Sequence, residues 1–214
     1  MYENGIETIK EKGDKMERLF LVRPSIEYRY DAVEYIREHL RVGSSIHGSG
    51  GLHRYVTLED ERYEEWLEYI YDSIYYPVDD RVPTLTYFLV RESDHYIIGM
   101  INIRLRLNNR LARCGGHIGY GIRPSERGNG YNHINLYLGL EICDWYGLDS
   151  VVLDCNVSNP ASERTMVALG GNLINEFVDP SDNELCHRYE INVSESLENY
   201  RDLYGQSDMI NIRR

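Results

Sequence analysis

The stretch from His117 to Leu140, HIGYGIRPSERGNGYNHINLYLGL, constrains this chain more than any other. An extended apolar run, His117–Ile122, meets the turn Arg123-Pro124-Ser125-Glu126. Arg127-Gly128-Asn129-Gly130 follows and leads at once into a long amphipathic segment. A strand delivered through a glycine loop into a helix sets the first helical amides beside the strand end. Those amides lack intrahelical partners, and the helix dipole favours negative charge there. Gly128 and Gly130 carry no Cβ, so backbone N–H groups can approach an anion closely. The pattern reads as a pyrophosphate cradle.

Two familiar phosphate loops are excluded by residue type. A P-loop needs Gly-Lys-Ser/Thr, and Gly130 is followed by Tyr131-Asn132. The dinucleotide fingerprint needs a third glycine, and His133 stands in its place.

The rest of the chain supplies a mixed α/β frame. Leu19–Val22 is a short strand, and Ser25 to Leu40 reads as a helix with Ala32, Val33, Ile36 and Leu40 on one face. A glycine-rich loop, 43–51, precedes Thr57-Leu58-Glu59-Asp60, which resembles a capped helix start. That helix is predicted to run to about Ile74 with Trp66, Leu67, Ile70 and Ile74 inward. From Thr84 the hydrophobic period changes to two, giving strands at Leu85–Arg91, Tyr96–Leu107 and Gly115–Ile122, with a turn at Asn108-Asn109. The helix after Gly130 ends at Gly147, with Tyr131, Ile134, Leu138, Ile142 and Trp145 as its stripe. Val151–Asn156 reads as a buried strand and Asn159–Leu169 as a helix. Leu173–Val178 and Cys186–Val193 form a hairpin around Asp179-Pro180-Ser181-Asp182-Asn183. Residues 1–16 are expected to be a flexible extension and 17–193 one domain. Residues 194–214 are expected to be a polar tail, either an appended helix or disordered.

Charge and cysteine usage narrow the function classes. A net charge of −12 opposes nucleic acid, whose phosphates reward clustered Lys and Arg. The four cysteines, Cys114, Cys143, Cys155 and Cys186, have neither zinc-site nor redox spacing, so reduced thiols and no metal are expected. No apolar run suits a signal peptide or a membrane span, which makes a cytoplasmic protein the expectation.

This order of elements, with Arg127 and Gly130 spaced as they are, resembles the GNAT superfamily of acyl-CoA-dependent N-acyltransferases. The superfamily signature is Arg/Gln-x-x-Gly-x-Gly/Ala; here the last place holds Asn132. The resemblance runs from about Leu19 to Val193, and is most specific where GGHIGYGIRPSERGNGY precedes CNVSNPASERTMVALGG. The loop Gly48–Leu52, GSGGL, is similar to that of a bacterial subgroup of predicted acetyltransferases. The resemblance implies a GNAT fold with a central twisted mixed sheet, acetyl-CoA as cosubstrate and a small-molecule amine as acceptor, with a homodimer left open. It implies that the backbone at Tyr120, Gly121 and Ile122 pairs with the pantetheine arm. It further implies that Arg127, Gly128, Asn129, Gly130, Tyr131 and Asn132 hold the pyrophosphate, and that Asn159 contacts the cofactor arm. An ordinary helix N-cap is the alternative for Asn159.

The reaction needs a neutral amine to attack a thioester. For a lysine-like amine of pKa about 10.4, deprotonation at pH 7 costs roughly 4 to 5 kcal/mol, so a base or a water chain is required. The family's glutamate base position falls at Gly116 and its tyrosine acid position at Met166, and neither can move a proton. His117 is the nearest titratable side chain on the strand and the candidate base, with a structural histidine as the alternative. Asp154, Glu126 and Tyr120 are further candidates, each also explicable by packing or turn formation. A rival reading is an acyl-CoA-binding regulatory module without turnover.

Overall fold

The computed structural model describes residues 17–205, so the extension over 1–16 and residues 206–214 lie outside the described residues. In chain order the strands are β1 (Leu19–Val22), β2 (Thr84–Arg91), β3 (Ile97–Arg104), β4 (Ile118–Ile122), β5 (Ser150–Asn156), β6 (Asn172–Val178) and β7 (Leu185–Asn192). The α-helices are α1 (Arg29–Arg41), α2 (Tyr63–Tyr75), α3 (Asn109–Arg113), α4 (Tyr131–Trp145), α5 (Pro160–Val167) and α6 (Val193–Tyr204). Two antiparallel sheets result, ordered β1-β2-β3-β4 and β5-β7-β6. The fold is mixed α/β, and its expected central sheet divides between β4 and β5.

Strands β2 and β3 are buried along almost their whole length because both faces of the first sheet are covered. One face packs on α4 through Leu85, Ile101, Ile103, Ile118 and Leu136. The other packs on α1 and α2 through Phe88, Val90, Met100, Ile36 and Trp66.

Several boundaries depart from the sequence reading for local reasons. The segment expected to start α1 at Ser25 is a 3-10 turn at Ile26–Tyr28, and the buried face of α1 includes Tyr35 and His39 while Leu40 is 38% exposed. Thr57 does not cap α2. Its Oγ1 accepts from the Asp60 amide (2.9 Å) and closes a tight turn, and the helix starts later, where Glu61 accepts from the Tyr63 amide (2.8 Å). Asn108 caps the short helix α3 at the Leu111 amide (2.8 Å) in place of the expected turn. Trp145, assigned to the inner stripe of α4, is 67% exposed, and Asn135, Tyr137, Gly139 and Cys143 are buried instead. Helix α6 covers that extra face: Tyr137 donates to Leu197 O (3.1 Å) and Ser196 to Leu169 O (2.8 Å). Strand β5 alternates buried and half-buried positions, where a continuous buried run was expected.

The glycine loop between α1 and α2 lies flat across the first sheet. A Cβ on Gly48 would strike Met100 O and approach Tyr120 Cα at 2.7 Å, and one on Gly50 would strike Thr86 Oγ1. The indole of Trp66 holds the loop down by donating to Gly50 O (3.0 Å). Only residues without side chains can lie this close to a sheet. Gly48→Ala should therefore cost about 3 kcal/mol, from overpacking plus a left-handed backbone at φ +74°. Gly43→Ala, at φ +64° with nothing within 4 Å, should cost about 1 kcal/mol. Denaturant melts of the two variants should separate them, and equal losses would show that the loop can lift away.

Candidate active site

Strands β4 and β5 meet at one point. The His117 amide donates to Val152 O (2.7 Å), and the Val152 amide donates to His117 Nδ1 (3.0 Å). Beyond His117 the strands part, which is why they belong to different sheets. His117 Nδ1 thus has its lone pair occupied and the ring proton sits on Nε2, so this tautomer offers no free nitrogen to a proton. Burial, then Arg104 and Arg188, lower its pKa. In this structure the candidate base is a clasp at the apex of a V.

Along β4 the ladder to β3 alternates. Arg104 N donates to His117 O and Arg123 N to Ile98 O, so the odd residues 117 to 123 bond β3. Ile118, Tyr120 and Ile122 then turn their amides and carbonyls into the gap. Gly121, expected to pair with a ligand, faces β3 with its backbone. Its bare Cα instead admits the loop, since a Cβ there would lie 3.0 Å from His47 O and 3.4 Å from Tyr35 Oη. The side chain of Tyr120 props the gap from the opposite face, its hydroxyl 2.9 Å from Ser162 Oγ on α5.

At the open end of the V, Gly128 (φ +84°) and Gly130 (φ +76°) carry the chain into α4. Among the described residues the amides of Gly128, Asn129, Gly130, Tyr131 and Asn132 have no acceptor. Nothing lies within 4 Å of the Gly128 Cβ direction. A loop of bare amides at the start of a fifteen-residue helix fits a phosphate group. Arg127 donates to Ser44 Oγ (2.6 Å) and Ile122 O (3.3 Å), which ties the loop to the α1–α2 connection. Asn129 donates to Glu126 O (3.1 Å), and the Tyr131 hydroxyl to Glu17 (2.6 Å). Asn132 points away from the loop and donates to Thr165 Oγ1 on α5 (3.3 Å). Asn159 caps α5 at the Ser162 amide (3.2 Å).

The carboxylate candidates are engaged. Asp154 takes both oxygens to Arg188 (2.7 and 2.8 Å) and also accepts from the Gly115 amide (2.7 Å). Glu126 pairs with Arg91 (3.3 Å). Gly116 has φ +56°, and a Cβ there would strike Val152 O, so no side chain can stand at that position. Met166 is fully buried.

Three histidines that the sequence reading passed over surround the α1–α2 loop. His39 is 1% exposed, with Nδ1 3.2 Å from Ser45 O and Nε2 without a hydrogen-bond partner among the described residues. Burial, then Arg127, push its pKa down to about 4. His47 and His53 are exposed at the surface, and partial desolvation lowers the pKa of each; His53 Nδ1 lies 3.0 Å from Ser49 Oγ. Their spacing in the sequence gave no signal; of the three, His47 is the one placed against β4, its carbonyl 3.0 Å from where a Cβ on Gly121 would stand.

A family model described as an acetyltransferase (GNAT) domain matches residues 18–172. No curated protein matches the chain in sequence. Among solved structures, a spermidine N-acetyltransferase SpeG chimera from Vibrio cholerae and hSSAT aligns with a TM-score of 0.55 at 16% identity, covering 84% of this chain and 98% of that one. Microcin C7 self immunity acetyltransferase MccE, in complex with acetyl-CoA and AMP, aligns at 0.57 and 16%, covering 82% and 92%. A putative GNAT-family acetyltransferase from Bordetella pertussis aligns at 0.59 and 15%, covering 83% and 97%. At these identities the likeness establishes the fold.

The lowered histidines set a pH dependence. Below the unfolded pKa of about 6.5 the unfolded chain takes up protons that the folded rings refuse, so stability is highest above that pH and falls as pH drops. For His39 the loss continues to about pH 4. Melting temperatures between pH 8 and 4.5 should show this fall, and His39→Gln should make it shallower. An unchanged slope in that variant would mean His39 accepts its proton in the folded state.

Proposed function

The chain belongs to the GNAT acetyltransferase family, and we propose that it moves an acetyl group from acetyl-CoA to a primary amine of a small acceptor by direct attack. The observation that carries this reading is the V between β4 and β5, with bare amides at its open end and a loop-covered face at its apex. Bound acetyl-CoA supplies an activated thioester. The amides of residues 128–132 would hold its pyrophosphate, and the outward groups of Tyr120 and Ile122 its amide-bearing arm. The Asn132 side chain braces α4 against α5, and that of Asn159 caps α5; neither side chain donates to the phosphate in this reading.

The amine's proton has few takers. With Asp154 and Glu126 in ion pairs and Gly116 bare, the groups at the cleft able to accept it are imidazoles and water. We favour His47 and His53 as the acceptors over His117, whose Nδ1 is taken by the Val152 amide. The same shortage of carboxylates supports the second reading, a regulatory module that binds acyl-CoA without turnover.

Acetyl-CoA at 100 times Kd should raise stability by about 2.7 kcal/mol. Asn132→Ala should bind within about threefold of the parent, and Asn132→Asp worse through repulsion. No thermal shift in the parent would remove both readings, and a tenfold loss in Asn132→Ala would make Asn132 a direct ligand.

Thiol release from acetyl-CoA with a panel of amines, amino acids and peptide N-termini separates the two readings. Turnover should exceed background hydrolysis and rise toward alkaline pH as the amine deprotonates. His117→Ala should lose less than about tenfold in rate, since a general base is worth roughly 10² or more. Release no faster than hydrolysis across the panel would leave the regulatory reading standing.

A further inference from the structure

The loop-covered face of the apex holds a charge that neither the fold nor the proposed chemistry uses. Arg104 ends β3, and its Nη1 donates to Gly115 O (2.9 Å) and Gly116 O (3.0 Å). Its Nη2 has no acceptor, and no carboxylate lies within ion-pair distance of Arg104, among the described residues. The contrast with its neighbours is plain: Arg123 pairs with Asp31, and Arg188 with Asp154. Burial and then Arg110 act against the Arg104 charge, and Asp154, already committed to Arg188 and Gly115, acts weakly for it. A guanidinium keeps its proton regardless, so the charge stands uncompensated.

In front of that charge is Gly119 on β4. A methyl group on Gly119 would lie 3.9 Å from Arg104 Nη2 and 3.7 Å from the Gly48 amide nitrogen. The Gly48 N–H also has no acceptor among the described residues. Two free donors, one of them charged, therefore converge on the bare face of Gly119. All three residues are half-buried, and the place is two residues from the His117 clasp. Converging unpaired donors, one of them a guanidinium fork, suit a carboxylate or phosphate.

We propose that Arg104 and the Gly48 amide bind an anionic group of the acceptor, so that the acceptor is an amine that also carries a carboxylate or a phosphate. This rests on the acetyltransferase reading above. The anion would fix the acceptor at the apex, where β4 turns its amides outward. The guanidinium would also disfavour a nearby ammonium and lower the amine's pKa, which helps in a cleft with no free carboxylate base. A bare polyamine, all cation, would meet repulsion.

The test uses matched pairs of amines with the full chain and acetyl-CoA: tyrosine against tyramine, and O-phosphoethanolamine against ethanolamine, with spermidine beside them. The anion-bearing member of at least one pair should have a kcat/KM at least 30-fold above its partner, and the pair that responds distinguishes carboxylate from phosphate. Arg104→Gln should collapse that ratio through KM, with Arg104→Lys intermediate. Because Arg104 also holds two carbonyls, Gly119→Ala is the second variant. It leaves both donors in place, fills the space between them at ordinary contact distance, and should collapse the ratio in the same way. If none of these amines is turned over, the anion-bearing members should still raise the melting temperature in the presence of CoA, and the two variants should lose that shift. Preference for spermidine or for the partners that lack the anionic group overturns the proposal. So does an equal fall in kcat on every amine in Arg104→Gln, which would assign the guanidinium to the oxyanion, and so does the lack of any shift with CoA. A parent that does not bind acetyl-CoA defeats the acetyltransferase reading first and is seen separately.

Discussion

The structure depends on β4 leaving β5 after a single point of contact. A strand pays for its ordering with ladder bonds on both edges, and an unpaired buried amide or carbonyl costs about 1–3 kcal/mol. From Ile118 to Ile122 one edge of β4 has no strand partner among the described residues, and of its groups only Ile122 O is met, by Arg127. Such an arrangement is stable only if the groups stay wet or meet a ligand of extended shape. The structure invests in keeping the strands apart as well as in joining them. His117 and Val152 fasten the apex, while the hydroxyl of Tyr120 reaches across to Ser162 and holds the wall of α5 at a fixed distance.

The other wall is held by Arg123, 2% exposed at the end of β4. Its guanidinium donates to Ile97 O (2.8 Å) and to Asp31 on α1 (2.5 Å), and lies over the Tyr96 ring at 4.0 Å. Asp31 in turn accepts from the Ile97 amide (2.5 Å). A buried ion pair is weak evidence for stability, because desolvation offsets much of the attraction, but breaking one partner is costly. Here it fixes direction. It fixes the end of β4 where the chain enters the glycine loop that carries the free amides of residues 128–132.

The parts of this architecture that were legible in the sequence are those written in local pattern. The hydrophobic period placed β1 at Leu19–Val22 and the β6–β7 hairpin around Asp179 to within a residue or so. The glycine loop before α4 was legible because a strand, a positive-φ glycine and a helix start leave a sequence trace. What was hidden depends on contacts far apart in the chain. Tyr35 and His39 were left off the inner face of α1, yet both are buried. Trp145 was counted as core, but α6 arrives on the other side of α4 and shifts the buried face. The clasp between the His117 ring and the Val152 amide left no trace because the two residues lie 35 positions apart. The glycines at 48 and 50 looked like flexibility, and are close approach.

Charge shows the same division between what composition tells and what a site does. A net charge of −12 describes the surface, where many of the carboxylates are exposed or share exposed arginines such as Arg29, Arg41 and Arg62. The cleft has the opposite sign. Arg127 at its open end and Arg104 at its apex have no carboxylate within ion-pair distance among the described residues, while Asp154, Glu126 and Asp31 are spent on other arginines. An acidic exterior keeps phosphates off the surface at long range, though salt shortens that reach to about 8–10 Å. Inside the cleft, low-dielectric walls strengthen each unpaired guanidinium. On the proposed reading anions would be held at two points set by geometry, a preference that the net charge does not indicate.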